Sequence, residues 1–134
     1  MEKRPKILLV DDDIDFVEIA KRALERDQYE VVAAYSGTEG KEAAEREMPD
    51  LIILDAMMES LTEGFHVAHE LRSHPKLKSV PIIMLTAINV QGDYPWRLDK
   101  DEQWLPVDRF LDKPVEPDRL RAEVKAVLEG RKGS

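Results

Sequence analysis

Apolar residues fall into two alternating patterns along the chain. Ile7-Leu8-Leu9-Val10, Leu51-Ile52-Ile53-Leu54 and Ile82-Ile83-Met84-Leu85 are unbroken apolar runs. Continuous runs of this kind suit strands covered on both faces, as in a parallel sheet packed between helices. Tyr29 to Tyr35 and Arg109 to Leu111 read as two further strands, the second flanking the sheet. Between the runs the period changes to that of a helix. Phe16, Val17, Ala20, Ala23 and Leu24 recur on one helical face, with Asp13 or Asp15 placed to cap the first turn. Ser36 precedes a helix over Thr38 to Glu47, stopped by Pro49. Phe65, Val67, Ala68 and Leu71 mark a third helix that begins near Gly64. Leu120, Val124, Val127 and Leu128 mark the last, opened by Pro117 and ended by Gly130.

Strand and helix therefore alternate, and right-handed crossovers make the pattern a doubly wound α/β fold with a parallel sheet and helices on both faces. The domain is expected over residues 5–129, with 130–134 a flexible tail. The stretch from Asn89 to Leu105 is the least regular and holds Tyr94, Trp96 and Trp104. These aromatics suit either the cover of a sheet edge or a partner surface.

Composition narrows the chemistry. The 134 residues include no cysteine, which removes disulfides, thiolate metal sites and a thiol nucleophile. No apolar run approaches the roughly 20 residues that span a bilayer, and the start does not read as a signal peptide, so a cytoplasmic protein without membrane attachment is expected. Twenty basic against twenty-eight acidic residues give a formal charge of -8, which repels nucleic acid phosphates. Any action on DNA is then left to a partner or to another domain.

In doubly wound folds the site lies beyond the carboxyl ends of the strands. The predicted strands end in Asp11-Asp12-Asp13, Asp55, Thr86 and Asp112-Lys113-Pro114. Carboxylates gathered from two strands do not all stay ionised without a cation, and a hard divalent ion such as Mg²⁺ is the natural partner. Lys113 adds a positive charge and Thr86 a hydroxyl donor. Cation, ammonium and hydroxyl around a carboxylate make a cradle for a phosphoryl group. A nucleotide or flavin site would need a Gly-rich first turn, where this chain has three aspartates. An Asp-nucleophile phosphatase would usually carry its nucleophile after the first strand.

The segments Ile7 to Asp13, Pro49 to Asp55, Val80 to Ala87 and Phe110 to Pro114 resemble the response regulator receiver domain of two-component signalling, in the matching order and strand context. The resemblance runs from about Pro5 to Leu128 and implies a flavodoxin-like fold with five strands in the order 2-1-3-4-5. It implies that Asp55 is the phosphoacceptor, taking a phosphoryl group from a histidine kinase or phosphotransfer protein. Asp12 would bind Mg²⁺ directly and Asp11 through water, with the Met57 backbone carbonyl as a further ligand. Asp13 falls outside that pair and is left as a helix cap. Lys113 would pair with the phosphoryl oxygens, its direction fixed by a cis bond to Pro114. Thr86 would be the switch hydroxyl and Phe110 the switch aromatic. The implied protein is a phosphorylated signalling module rather than an enzyme acting on others, slow to hydrolyse its own aspartyl phosphate because Met57 and Ile88 are apolar. It would pass its state to a downstream protein or to an output domain, with a homodimer left open. A receiver that has lost phosphorylation and only docks is the remaining competitor. The sequence departs from the family pattern in having Glu59 where a proline is common and a longer stretch between Thr86 and Lys113. Leu105-Pro106-Val107-Asp108 stand in place of the usual Gly-Ala. His66, His69 and His74 have helical spacing but no evident acidic partner, and are expected to be solvated or partly packed.

Overall fold

A computed structural model describes residues 4–56, 63–86 and 107–132. Its elements are β1 (Lys6–Val10), α1 (Ile14–Arg26), β2 (Glu30–Ala34), α2 (Gly37–Glu47), β3 (Leu51–Asp55), α3 (Glu63–Arg72), β4 (Ile82–Thr86), β5 (Arg109–Asp112) and α4 (Pro117–Lys132). The strands form one parallel sheet in the order β2-β1-β3-β4-β5. The expected flavodoxin-like order is the one observed. Tyr94, Trp96, Trp104, Met57, Glu59 and Ile88 lie outside the described residues, as does the Phe65 side chain.

Successive residues of a strand face opposite sides, so each apolar run feeds two cores. Leu8, Val10, Ile52, Leu54, Ile82 and Met84 join Ala43 and Ala44 of α2 and Val67, Ala68 and Leu71 of α3. Ile7, Leu9, Leu51, Ile53, Ile83, Leu85 and Leu111 join Val17, Ala20 and Leu24 of α1 and Leu120 and Val124 of α4. β3 and β4 are buried along their whole length. Each fully covered Leu or Ile contributes roughly 1.5–3 kcal/mol of transfer free energy, which is why the central strands lack any polar interruption before their ends.

Local signals set most of the boundaries. Asp13 is the cap of α1: its Oδ1 accepts the Phe16 N–H at 3.2 Å. Ser36 Oγ accepts the Glu39 N–H at 3.1 Å, and the Glu39 carboxylate reaches back to the Tyr35 N–H at 2.8 Å. Met48, next to Pro49, takes the left-handed conformation that closes α2, with φ 49°. Gly130 does not end α4 as expected; the helix runs on to Lys132. A glycine ends a helix only by leaving the helical region. An exposed one kept inside costs about 1 kcal/mol, and Gly130 has nothing within 4 Å of where a side chain would stand.

At the amino ends of the strands the same device occurs twice. Asp50 precedes β3; its carboxylate accepts the Lys6 N–H at 2.7 Å while its own N–H donates to the Lys6 carbonyl at 2.7 Å. Asp108 precedes β5; its carboxylate accepts the Ile82 N–H at 2.8 Å while its own N–H donates to the Ile82 carbonyl at 2.8 Å. Each aspartate thereby fixes the first rung of its strand against a neighbour. Arg72 reinforces the second staple, donating to Asp108 at 2.9 Å and to the Lys78 and Val80 carbonyls.

Candidate functional site

Register brings the strand ends together. Val10 pairs with Leu54, so Asp11, just beyond β1, stands at the level of Asp55, the last residue of β3. Thr86 pairs with Asp112, and the Lys113 N–H donates to the Thr86 carbonyl at 2.7 Å. The peptide bond from Lys113 to Pro114 is cis. Carboxylate oxygens of Asp11, Asp12 and Asp55 all lie within 4.8 Å of one another. Asp11 and Asp55 are buried, at 0% and 3% exposure, whereas Asp12 faces solvent. Among the described residues this is the one cluster of potential metal ligands. His66 and His69 are exposed, and His74 is half-buried with its Nδ1 accepting the Lys76 N–H at 3.1 Å.

Lys113 lies between the buried acids. Its Nζ is 3.3 Å from Asp55 Oδ2, donating a hydrogen bond, and 3.0 Å from Asp11 Oδ2. The second contact is a charge pair, and Asp11 Oδ2 accepts no other hydrogen bond among the described residues. Burial works to lower the Lys113 pKa, but the adjoining Asp11 and Asp55 carboxylates outweigh it and hold the ammonium above the usual lysine value. Asp11 Oδ1 accepts the Asp13 N–H at 2.9 Å, which turns the acidic loop. Three carboxylates therefore converge near one ammonium, and the buried Asp11 Oδ2 is answered only by the charge of Lys113. An all-oxygen, acid-rich set of this kind fits a hard divalent cation.

Thr86 is 1% exposed, and its Oγ1 has no hydrogen-bond partner among the described residues. Phe110 is half-buried and pairs in register with Met84, on the α2–α3 side of the sheet. The structure thus gathers Asp11, Asp12, Asp55, Lys113 and Thr86 at one rim, with Phe110 on the neighbouring strand.

Two contributors are missing from the sequence reading of the site. Gly64, in the first turn of α3, donates its N–H to the Ala56 carbonyl at 3.0 Å. A side chain there would run into the Asp55 carbonyl oxygen and stand 2.6 Å from the Ala56 Cα. The absence of a Cβ lets α3 close onto the end of β3. The other is Phe16, whose ring centroid lies 5.3 Å from Lys113 Nζ. Its helical spacing marks it only as a core residue, since the lysine it meets is distant in sequence. A cleft of about 1120 Å³ lies elsewhere, at the amino ends of the strands among Lys6, Asp27, Tyr29 and Arg121.

The family model of the response regulator receiver domain matches residues 7–125. The chain is 39% identical over 123 residues to the alkaline phosphatase synthesis transcriptional regulatory protein PhoP of Bacillus subtilis, covering 92% of this chain and 48% of that protein. It spans about half the length of the curated relatives it matches. Among solved structures, the chemotaxis response regulator CheY4 of Vibrio cholerae superposes with a TM-score of 0.79 at 28% identity, covering 93% of this chain and 99% of that one. A response regulator receiver domain protein from Clostridium thermocellum superposes with a TM-score of 0.77 at 27% identity, covering 96% and 97%. With its sheet order, its acidic rim and these matches agreeing, the chain belongs to the response regulator receiver domain family.

Proposed function

We propose that the chain is the phosphoacceptor of a two-component system, with Asp55 taking a phosphoryl group from a phosphohistidine on a partner histidine kinase or phosphotransfer protein. The observation that supports this most is the Asp55 carboxylate itself, buried at the end of β3 beside Asp11, Asp12 and Lys113. An Asp55 oxygen forms the new bond to phosphorus as the phosphorus–nitrogen bond to the donor imidazole breaks, and the imidazole nitrogen departs with that electron pair. Lys113, already against Asp55, neutralises charge that spreads over the phosphoryl oxygens in the loose transition state. Mg²⁺ held by Asp11, Asp12 and Asp55, with the Met57 carbonyl, would supply further positive charge against the same oxygens.

Thr86 then donates its unpartnered hydroxyl to the phosphorylated Asp55, and Phe110 repacks as the switch aromatic. The surface of the last strands changes in consequence, a two-state element biased by added charge. The transcriptional relatives are about twice as long. By analogy the signal here passes to an attached output segment or a downstream protein in the cytoplasm, and the charge of -8 argues against direct contact with DNA. Met57 and Ile88 offer no polar group to orient water, so loss of the phosphoryl group is slow.

Incubation with Mg²⁺ and a small acyl phosphate tests the reading. Intact mass spectrometry is expected to show addition of one phosphoryl group, lost in Asp55→Asn. No addition to the wild-type chain, or undiminished addition to the variant, overturns it.

A further inference from the structure

We propose that Phe16 is a positioning residue for Lys113 and influences phosphoryl transfer only through that lysine; the inference rests on the phosphoacceptor reading above. The contacts form a closed circuit. Asp11 Oδ1 accepts the Asp13 N–H at 2.9 Å, and Asp13 Oδ1 accepts the Phe16 N–H at 3.2 Å. The Phe16 ring centroid lies 5.3 Å from Lys113 Nζ, and that nitrogen returns to Asp11 Oδ2 at 3.0 Å. The helix cap that starts α1 therefore also sets the backbone from which the ring is aimed.

A cation within about 6 Å of an aromatic centroid is drawn to the ring face. Lysine needs such help more than arginine, because its ammonium is a point charge on a flexible four-carbon stem. Phe16 is half-buried and packs against the core shared by α1 and α4, so its own position is restrained. The ring adds its attraction to that of Asp11 and Asp55 on the same ammonium. Lys113 is thus held beside Asp55 before any donor arrives, which spares the ordering cost of a long side chain during transfer.

Phe16→Leu keeps apolar bulk but removes the ring, whereas Phe16→Tyr keeps the ring. With Mg²⁺ and a small acyl phosphate, the initial rate of Asp55 phosphorylation is expected to fall about 3- to 10-fold in the leucine variant and recover in the tyrosine variant. In a Lys113→Met background, Phe16→Leu is expected to cause no further loss. In the wild-type chain, ¹H NMR should show the Lys113 ε-methylene protons shifted by the ring current. Equal rates for the wild type, Phe16→Leu and Phe16→Tyr, an undiminished leucine effect without Lys113, or unshifted ε-protons overturns the proposal. The NMR measurement needs no phosphorylation and no variant, so failure of the wild-type chain to accept phosphate sinks the phosphoacceptor reading separately.

Discussion

Thr86 holds a hydroxyl in a place where an apolar group would be more comfortable. A buried polar atom without a partner costs roughly 1–3 kcal/mol, whereas an apolar replacement of the same shape avoids that cost. Thr86→Val is therefore expected to leave the unphosphorylated chain as stable as before or slightly more so in thermal melts. The same substitution should diminish phosphorylation-dependent NMR changes at Phe110. A large loss of stability would mean that the hydroxyl is already engaged. Asp27 is the opposite case. Arg121 donates to both its oxygens, at 3.0 and 2.8 Å, and this hydrogen bonding holds the Asp27 carboxyl below the usual range. On acidification the unfolded chain takes up this proton first. The stabilisation is thus present above the unfolded aspartate value of about 3.9 and is lost as pH falls through the lower folded value. Urea titrations at falling pH should show a shallower acid decline for Asp27→Asn than for the wild type. The strand-end acids were legible in the sequence because the fold rule gathers strand ends. Asp27 and Arg121, 94 positions apart, were not, because helix packing alone brings them together.

At the scale of elements, the junction of β3 and α3 is the most constrained part of the site. Gly64→Ala forces a Cβ against backbone atoms of Asp55 and Ala56, which yield only if strand and helix separate. The expected cost is about 1–3 kcal/mol in chemical denaturation. Phosphorylation should slow as well, because the displaced carbonyl belongs to Asp55 itself. A variant with normal stability and normal rate would show that the junction tolerates separation. Apolar runs and caps revealed where elements begin: Asp13, Ser36 and Pro117 all start helices where the sequence places them. The end of α4 was not legible, because an exposed glycine has neither a packing partner nor a compelled turn. The staples at Asp50 and Asp108 were equally hidden, since an aspartate before a strand looks the same whether or not it reaches sideways.

For the molecule as a whole, a cation held by the acidic rim would link folding to cation binding. A cation that binds the folded rim and not the unfolded chain stabilises by about 1.4 kcal/mol when its free concentration is tenfold above its dissociation constant. Mg²⁺ is expected to raise the melting temperature by a few degrees and a chelator to reverse the gain, with most of the effect lost in Asp12→Asn. An equal rise in that variant would locate the effect elsewhere. The fold order was readable because four short motifs appear in sequence order at strand ends. The longer connection after Thr86 carries no comparable periodicity, and its aromatics suited cover of the sheet edge better than a partner surface without excluding the latter.

The aspartate staples have a consequence for the acidic groups at the far rim. A strand advances about 3.3 Å per residue and reverses its side chains with each step. Sliding β3 by one place would therefore remove its terminal carboxylate from the lysine and swing it to the other side of the sheet. Asp50 and Asp108 resist that error from the opposite end of the molecule. Alignment among the charged groups is thus inherited from anchors at the far ends of the strands, which touch none of the groups they align.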